Sequence, residues 1–174
     1  MNRRGFTLIE ILVTIAIIAV ISVVVTLNLA GRRSTATLTS TSQEIGALLR
    51  EAQGDSLSQK NGVQWGVHFD STTSTQEFYS LFSTPNGTYA SATVAGQYPL
   101  GAGLCFATSS VPTGSSTNIL FGTISGAPAA SATIILQYMS GGGCPSATST
   151  GSAGGVTLTT SGEIFFDNFN RSNL

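Results

Sequence analysis

Hydrophobic residues run almost without interruption from Phe6 to Ala30, and the pattern then changes character twice. From Ile11 to Gly31 there are 21 residues without a charge. At about 1.5 Å per residue they make a helix of about 31 Å, the thickness of a bilayer's hydrocarbon core, so the pattern predicts a membrane-spanning segment. Beyond it, Leu38, Ile45, Leu48, Leu49 and Ala52 form one apolar stripe at helical spacing, which predicts an amphipathic continuation that packs on a sheet. This helix is expected to end near Ser58, before Lys60-Asn61-Gly62, whose Asn-Gly pair signals a turn. Gly31 and the hydroxyl-rich run from Thr37 to Ser42 have poor helix propensity and predict local fraying.

The period then shifts from helical to alternating. Val63, Trp65, Val67 and Phe69 share one face of a segment whose other face carries Gln64, Gly66, His68 and Asp70, the pattern of a half-buried strand. Further strands are expected at 77–82, 104–108, 119–124, 133–139, 156–160 and 163–166, the last two joined at Ser161-Gly162 as a terminal hairpin. Hydroxyl- and glycine-rich stretches at 71–75, 113–117 and 146–155 read as loops. The fold class this implies is α+β, a long N-terminal helix whose second half lies on an antiparallel sheet or small sandwich. The corresponding organisation is a leader at 1–5, an apolar helix at 6–31, its amphipathic continuation at 32–58 and a β-rich head at 59–174.

The leader changes how the apolar run is read. Met1-Asn2-Arg3-Arg4-Gly5 precedes Phe6-Thr7-Leu8-Ile9-Glu10, so a short basic segment, a Gly-Phe junction and a single carboxylate follow in order. An ordinary secretory signal has a shorter apolar core and a cleavage site after it, whereas here the junction lies before the run and its removal would leave the helix attached. Arg3 and Arg4 at one end and Arg32 and Arg33 at the other leave the positive-inside rule ambiguous. A carboxylate within a bilayer costs at least about 2.5–3.5 kcal/mol, so Glu10 calls for a partner.

This combination resembles the signal of type IV pilins and type II secretion pseudopilins. The resemblance implies cleavage after Gly5 by a prepilin peptidase, N-methylation of the new Phe6 amine, and pairing of Glu10 with the Phe6 amine of a neighbouring subunit. Such a pair offsets two costly charges only at one axial stagger, and so sets register. It further implies assembly with other pilin or pseudopilin subunits on an inner-membrane platform. The chain would be a single-pass inner-membrane protein first and part of a surface or periplasmic filament afterwards. Residues 48–70, from LLREAQGDS into a turn and a first strand, look like the matching region of GspH/FimT-type pilin-like proteins. Leu27 departs from the pattern, since many major pilins have proline there.

Composition fits an exported, lightly charged body, with 23 Ser and 23 Thr in 174 residues and only 9% charged residues. Cys105 and Cys144 bracket 38 residues, and in a chain sent out of the cytoplasm the expectation is one disulfide, worth about 4 kcal/mol by loop entropy. Many pilins also carry a disulfide in the C-terminal half of the head. Past the apolar run five basic residues face seven acids, a net of −2 that suits a polyanion poorly and argues against DNA uptake, a role of some minor pilins. No cofactor or metal site is expected. The Asp167-Asn168-Phe169-Asn170 tail lacks the calcium-loop pattern, no nucleophile-elbow motif or P-loop occurs, and the lone His68 reads as an exposed strand residue. Two Asn-x-Ser/Thr triplets, at Asn86 and Asn170, are expected by chance in so hydroxyl-rich a chain.

Overall fold

A computed structural model describes residues 7–72, 76–139, 152–159 and 162–170, with side chains left out at 23–35, 152–155 and 167–170. Helix α1 covers Leu8–Leu57, followed by a 3₁₀ turn at Lys60–Gly62. Eight strands follow: β1 Gln64–Asp70, β2 Phe78–Thr84, β3 Thr93–Pro99, β4 Leu104–Phe106, β5 Ser116–Leu120, β6 Ala132–Tyr138, β7 Ser152–Leu158 and β8 Ile164–Asn170. The chain divides into two compact units, Met1–Ala36 and Thr37–Leu174.

The second unit carries two four-stranded antiparallel sheets, ordered β3-β2-β1-β5 and β4-β6-β7-β8. The α+β class expected from the pattern is what the structure has. Both sheets share one core with the helix stripe, in which Leu38, Ile45, Leu48, Leu49 and Ala52 are buried beside Trp65, Val67, Phe69, Phe106, Ile119 and Leu136. The rings of Phe69 and Phe106, one from each sheet, meet edge to face at 5.7 Å. Burying each large aliphatic side chain contributes about 1.5–3 kcal/mol, against helix-propensity deficits of at most about 0.7 kcal/mol per residue in the hydroxyl run. Packing therefore wins, and 37–42 is helical rather than frayed. Thr41 and Ser42 are buried, with the Ser42 hydroxyl donating to the Leu38 carbonyl at 2.8 Å.

Several boundaries differ from expectation for identifiable reasons. Strand β3 is absent from the apolar pattern because it is an exposed edge strand. A register shift against Leu81 and Phe82 leaves Ala95 as an extra, bulged residue. The strand expected at 119–124 is β5, which starts at Ser116 and stops at Leu120. Beyond it, Phe121 bridges Pro128, and Ile124 takes φ 74° in a tight γ-turn closed by Ser125 N–H donating to the Thr123 carbonyl. The stretch 146–155, read as a loop, contains the start of β7 from Ser152. The hairpin joining β7 and β8 is present, with Leu158 opposite Ile164 and Gly162 at φ 84°. The second part of the expected membrane span, 23–31, falls where side chains lie outside the described residues. The described apolar run, Leu8 to Ser22, is shorter than the roughly 20 residues a span requires. Among the described residues no helix is long and apolar enough to cross a membrane.

Candidate functional site

Two regions hold the residues singled out by sequence, one in each unit. In the first unit α1 begins with the Glu10 and Ile11 amides donating to the Thr7 carbonyl, which places the Glu10 carboxylate in the first turn, at the positive end of the helix dipole. Leu8, Ile9, Ile11, Leu12, Val13, Ile15, Ile17, Ile18, Val20 and Ile21 all remain about half exposed or more, and Leu8 reaches 81%. Exposure on this scale matters because the largest apolar patch on an ordinary soluble monomer covers only a few hundred Å². Leu12, Val13, Ala16, Ile17, Val20 and Ile21 line a shallow apolar groove along one helix face. The two hydroxyls that interrupt the run are turned inward. Thr14 donates to the Ile11 carbonyl and Ser22 to the Ile18 carbonyl, each at 2.8 Å, so neither asks for water. What is left is a helix apolar all round with one carboxylate at its start. Gly5 and Phe6 lie outside the described residues.

In the second unit, β1 is buried on both faces, which corrects the reading of His68 as solvent-facing. His68 is 3% exposed, because the Tyr89 ring, from the β2–β3 connection, stacks on the imidazole at 3.6 Å and 6°. Its Nδ1 lies 2.6 Å from Asn118 Oδ1 and its Nε2 lies 3.4 Å from Asp70 Oδ2. Burial alone would raise the Asp70 carboxyl, yet the Thr72 hydroxyl and amide and the His68 ring together hold it below the ordinary carboxylate value. The facing Ser80 hydroxyl bonds to the Tyr89 phenol at 3.4 Å. This arrangement joins β1, β2, β5 and the β2–β3 connection.

Other polar groups in the core also connect elements. Glu77 accepts from the Ser71 hydroxyl at 2.5 Å and from the Phe106 amide at 2.6 Å, tying the two sheets together. Burial, and then the neighbouring Glu44 carboxylate, push the Tyr79 phenol up. Ser56, which the sequence did not single out, is fully buried near the end of α1 and bonds to β1 and to Phe121. Cys105 is fully buried on β4, and Cys144 lies outside the described residues. The backbone of Asp167 to Asn170 belongs to β8, with side chains outside the described residues. Among the described residues no group of three or more His, Cys, Asp or Glu could hold a metal ion.

Residues 1–26 match the family model described as the prokaryotic N-terminal methylation motif. No curated protein and no solved structure matches the chain. The matched segment ends inside the apolar helix and includes Gly5, Phe6 and Glu10, the residues on which the resemblance was drawn. A basic leader, an exposed apolar helix with one carboxylate and the methylation motif coincide in the same residues, and the chain therefore carries a type IV pilin-like prepilin signal.

Proposed function

We propose that the protein is a structural, non-enzymatic subunit of a type IV pilus-like filament. In this reading prepilin peptidase cleaves after Gly5 and methylates the Phe6 amine. The apolar helix holds the subunit in the inner membrane until an assembly platform moves it into the filament. There Glu10 receives the Phe6 amine of a neighbour. The observation that carries the reading is the first unit itself. Its side chains from Leu8 to Ile21 are exposed in the lone chain and carry a single charge, so only lipid or other apolar helices can cover them. Lipid alone leaves Glu10 without a partner at a cost of about 2.5–3.5 kcal/mol, whereas assembly supplies one. A secretion pseudopilus would use the same signal, so the recovery of the protein from outside the cell separates the two. The weak net charge beyond the helix, five bases against seven acids, supports a protein partner over DNA.

The experiment is the N-terminal mass of protein sheared from the cell surface, with Gly5→Val beside the wild type. The expected result is a chain starting at methylated Phe6, and for Gly5→Val an uncleaved precursor confined to the membrane. Filaments containing normally processed Gly5→Val protein would overturn the assignment of the cleavage site. Mature protein recovered only from the periplasm would favour the pseudopilus.

A further inference from the structure

We propose that Asn86, at the corner between β2 and β3, is a site of N-linked glycosylation that takes its sugar from a phosphate-activated glycosyl donor. The proposal rests on the reading that the head lies outside the cytoplasm. Asn86, Gly87 and Thr88 are all exposed, and Gly87 adopts φ 78°, a turn conformation that suits glycine. The side chain is oriented unambiguously by its neighbours. The Thr88 hydroxyl donates to Asn86 Oδ1 at 2.9 Å and the Thr88 amide at 3.4 Å, the Ser91 hydroxyl donates to the same oxygen, and the Thr84 hydroxyl, 3.1 Å from it, donates to the Thr88 carbonyl at 2.9 Å. A backbone amide can only donate, so the atom it meets is the oxygen, and Nδ2 is the atom left without a hydrogen bond.

N-linked transfer needs an accessible amide nitrogen. The hydrogen bonds to Oδ1 fix the side chain with Nδ2 unbonded at an exposed turn, and the transferase supplies the activation of that nitrogen. Nδ2 attacks the anomeric carbon, the bond from that carbon to the phosphate oxygen breaks, and the phosphate-bearing carrier leaves with the electron pair. The Nδ2 proton passes to the transferase's base. The linkage keeps the amide carbonyl, so Oδ1 keeps its hydrogen bonds after the modification.

A second observation gives the glycan something to do. The 85 residues from Phe78 to Gly162 contain no Asp, Glu, Lys or Arg. The edge strand β3 lies within this stretch, with Val94 46% exposed and only a bulge and Pro99 to discourage pairing with another chain. A hydrated glycan at the adjoining corner would protect this uncharged edge, a task that charged side chains perform elsewhere.

The test is peptide mass mapping of the protein from its own cells, in both the surface-sheared and the membrane fractions. Trypsin has no site between Lys60 and Arg171, but cleavage after glutamate releases residues 78–163, a fragment with one such triplet. The expected fragment is heavier than its sequence by whole sugar units placed on Asn86. The excess should vanish in Asn86→Gln and Thr88→Ala and persist in Thr88→Ser. Bare Asn86 in both fractions, sugar confined to serine or threonine, or deamidation of Asn86 alone would each overturn the proposal. The N-terminal peptide of the same samples separates the two readings. Methylated Phe6 with bare Asn86 defeats this proposal alone, and an unprocessed N-terminus with sugar on Asn86 defeats the filament reading alone.

Discussion

The sharpest structural prediction concerns Ser56, one hydroxyl on which the junction of α1 with β1 depends. Ser56 is fully buried, and its oxygen accepts the Trp65 amide at 2.9 Å while lying 3.3 Å from the Phe121 carbonyl and 3.4 Å from the Trp65 carbonyl. Ser56→Ala removes that oxygen. The Trp65 carbonyl keeps a partner, since it still receives the Phe121 amide at 3.0 Å. The Trp65 amide does not, and a buried donor left unsatisfied costs about 1–3 kcal/mol. Only one atom is lost, so a cavity contributes little more. At about 2–4 °C per kcal/mol for a chain of this size, the midpoint should fall by about 4–8 °C for a loss near 2 kcal/mol. Trp65 is the only tryptophan and is 4% exposed, so its emission during a melt in detergent micelles reports this junction directly. Ser58→Ala is the control. Its hydroxyl bonds the Asp55 carbonyl at an exposed position, and the change should stay within about 0.5 kcal/mol of wild type. A Ser56→Ala protein as stable as the control would refute the reasoning, because it would mean that the Trp65 amide finds water or another acceptor.

Two further expectations follow from the head. If Cys105 and Cys144 are bridged, both resist alkylation in native surface-derived protein, and Cys105→Ser lowers stability by about 2–5 kcal/mol without affecting membrane insertion; quantitative labelling of both thiols would exclude the bridge. Asp70, held low by Thr72 and His68 against the effect of burial, contributes stability that is fully present above the unfolded carboxylate value near pH 4 and is lost as pH falls through its lower folded value. Thr72→Ala should therefore be less stable than wild type at pH 7 and approach it in strong acid, as read from denaturant titrations across pH; a gap that stays constant into strong acid would contradict this account of Asp70.

The parts of this molecule legible in sequence are those whose signal is local. Gly5, Phe6 and Glu10 sit within six consecutive residues, and the stripe from Leu38 to Ala52 reports a single helix face, so both could be read directly. Strand β1 was legible as a strand, but the burial of His68 was not. The ring that covers it, Tyr89, comes from a connection 21 residues further along, and nothing in the alternation of β1 announces it. Strand β3 escaped because an exposed edge needs no apolar face. Ile124 misled in the opposite direction. The strand expected at 119–124 includes it, whereas it stands 72% exposed in a strained turn. Ser56 was invisible for a related reason, since a serine among 23 shows its role only when the partners it bridges are in place.

The central claim, that Glu10 is an assembly residue rather than a tolerated charge, is tested most directly by competition. Tagged Glu10→Leu protein is expressed together with wild type, and the ratio of mutant to wild type is measured in the membrane and in sheared filaments. A passive anchor would gain from losing a charge that costs about 2.5–3.5 kcal/mol in lipid, and its ratio would be equal in both fractions. Removing one member of a buried ion pair costs about 3–5 kcal/mol because the other charge is stranded, so the account predicts normally processed mutant in the membrane and at least a tenfold lower ratio in filaments. Equal ratios in the two fractions would contradict the pairing of Glu10 with a neighbouring Phe6 amine.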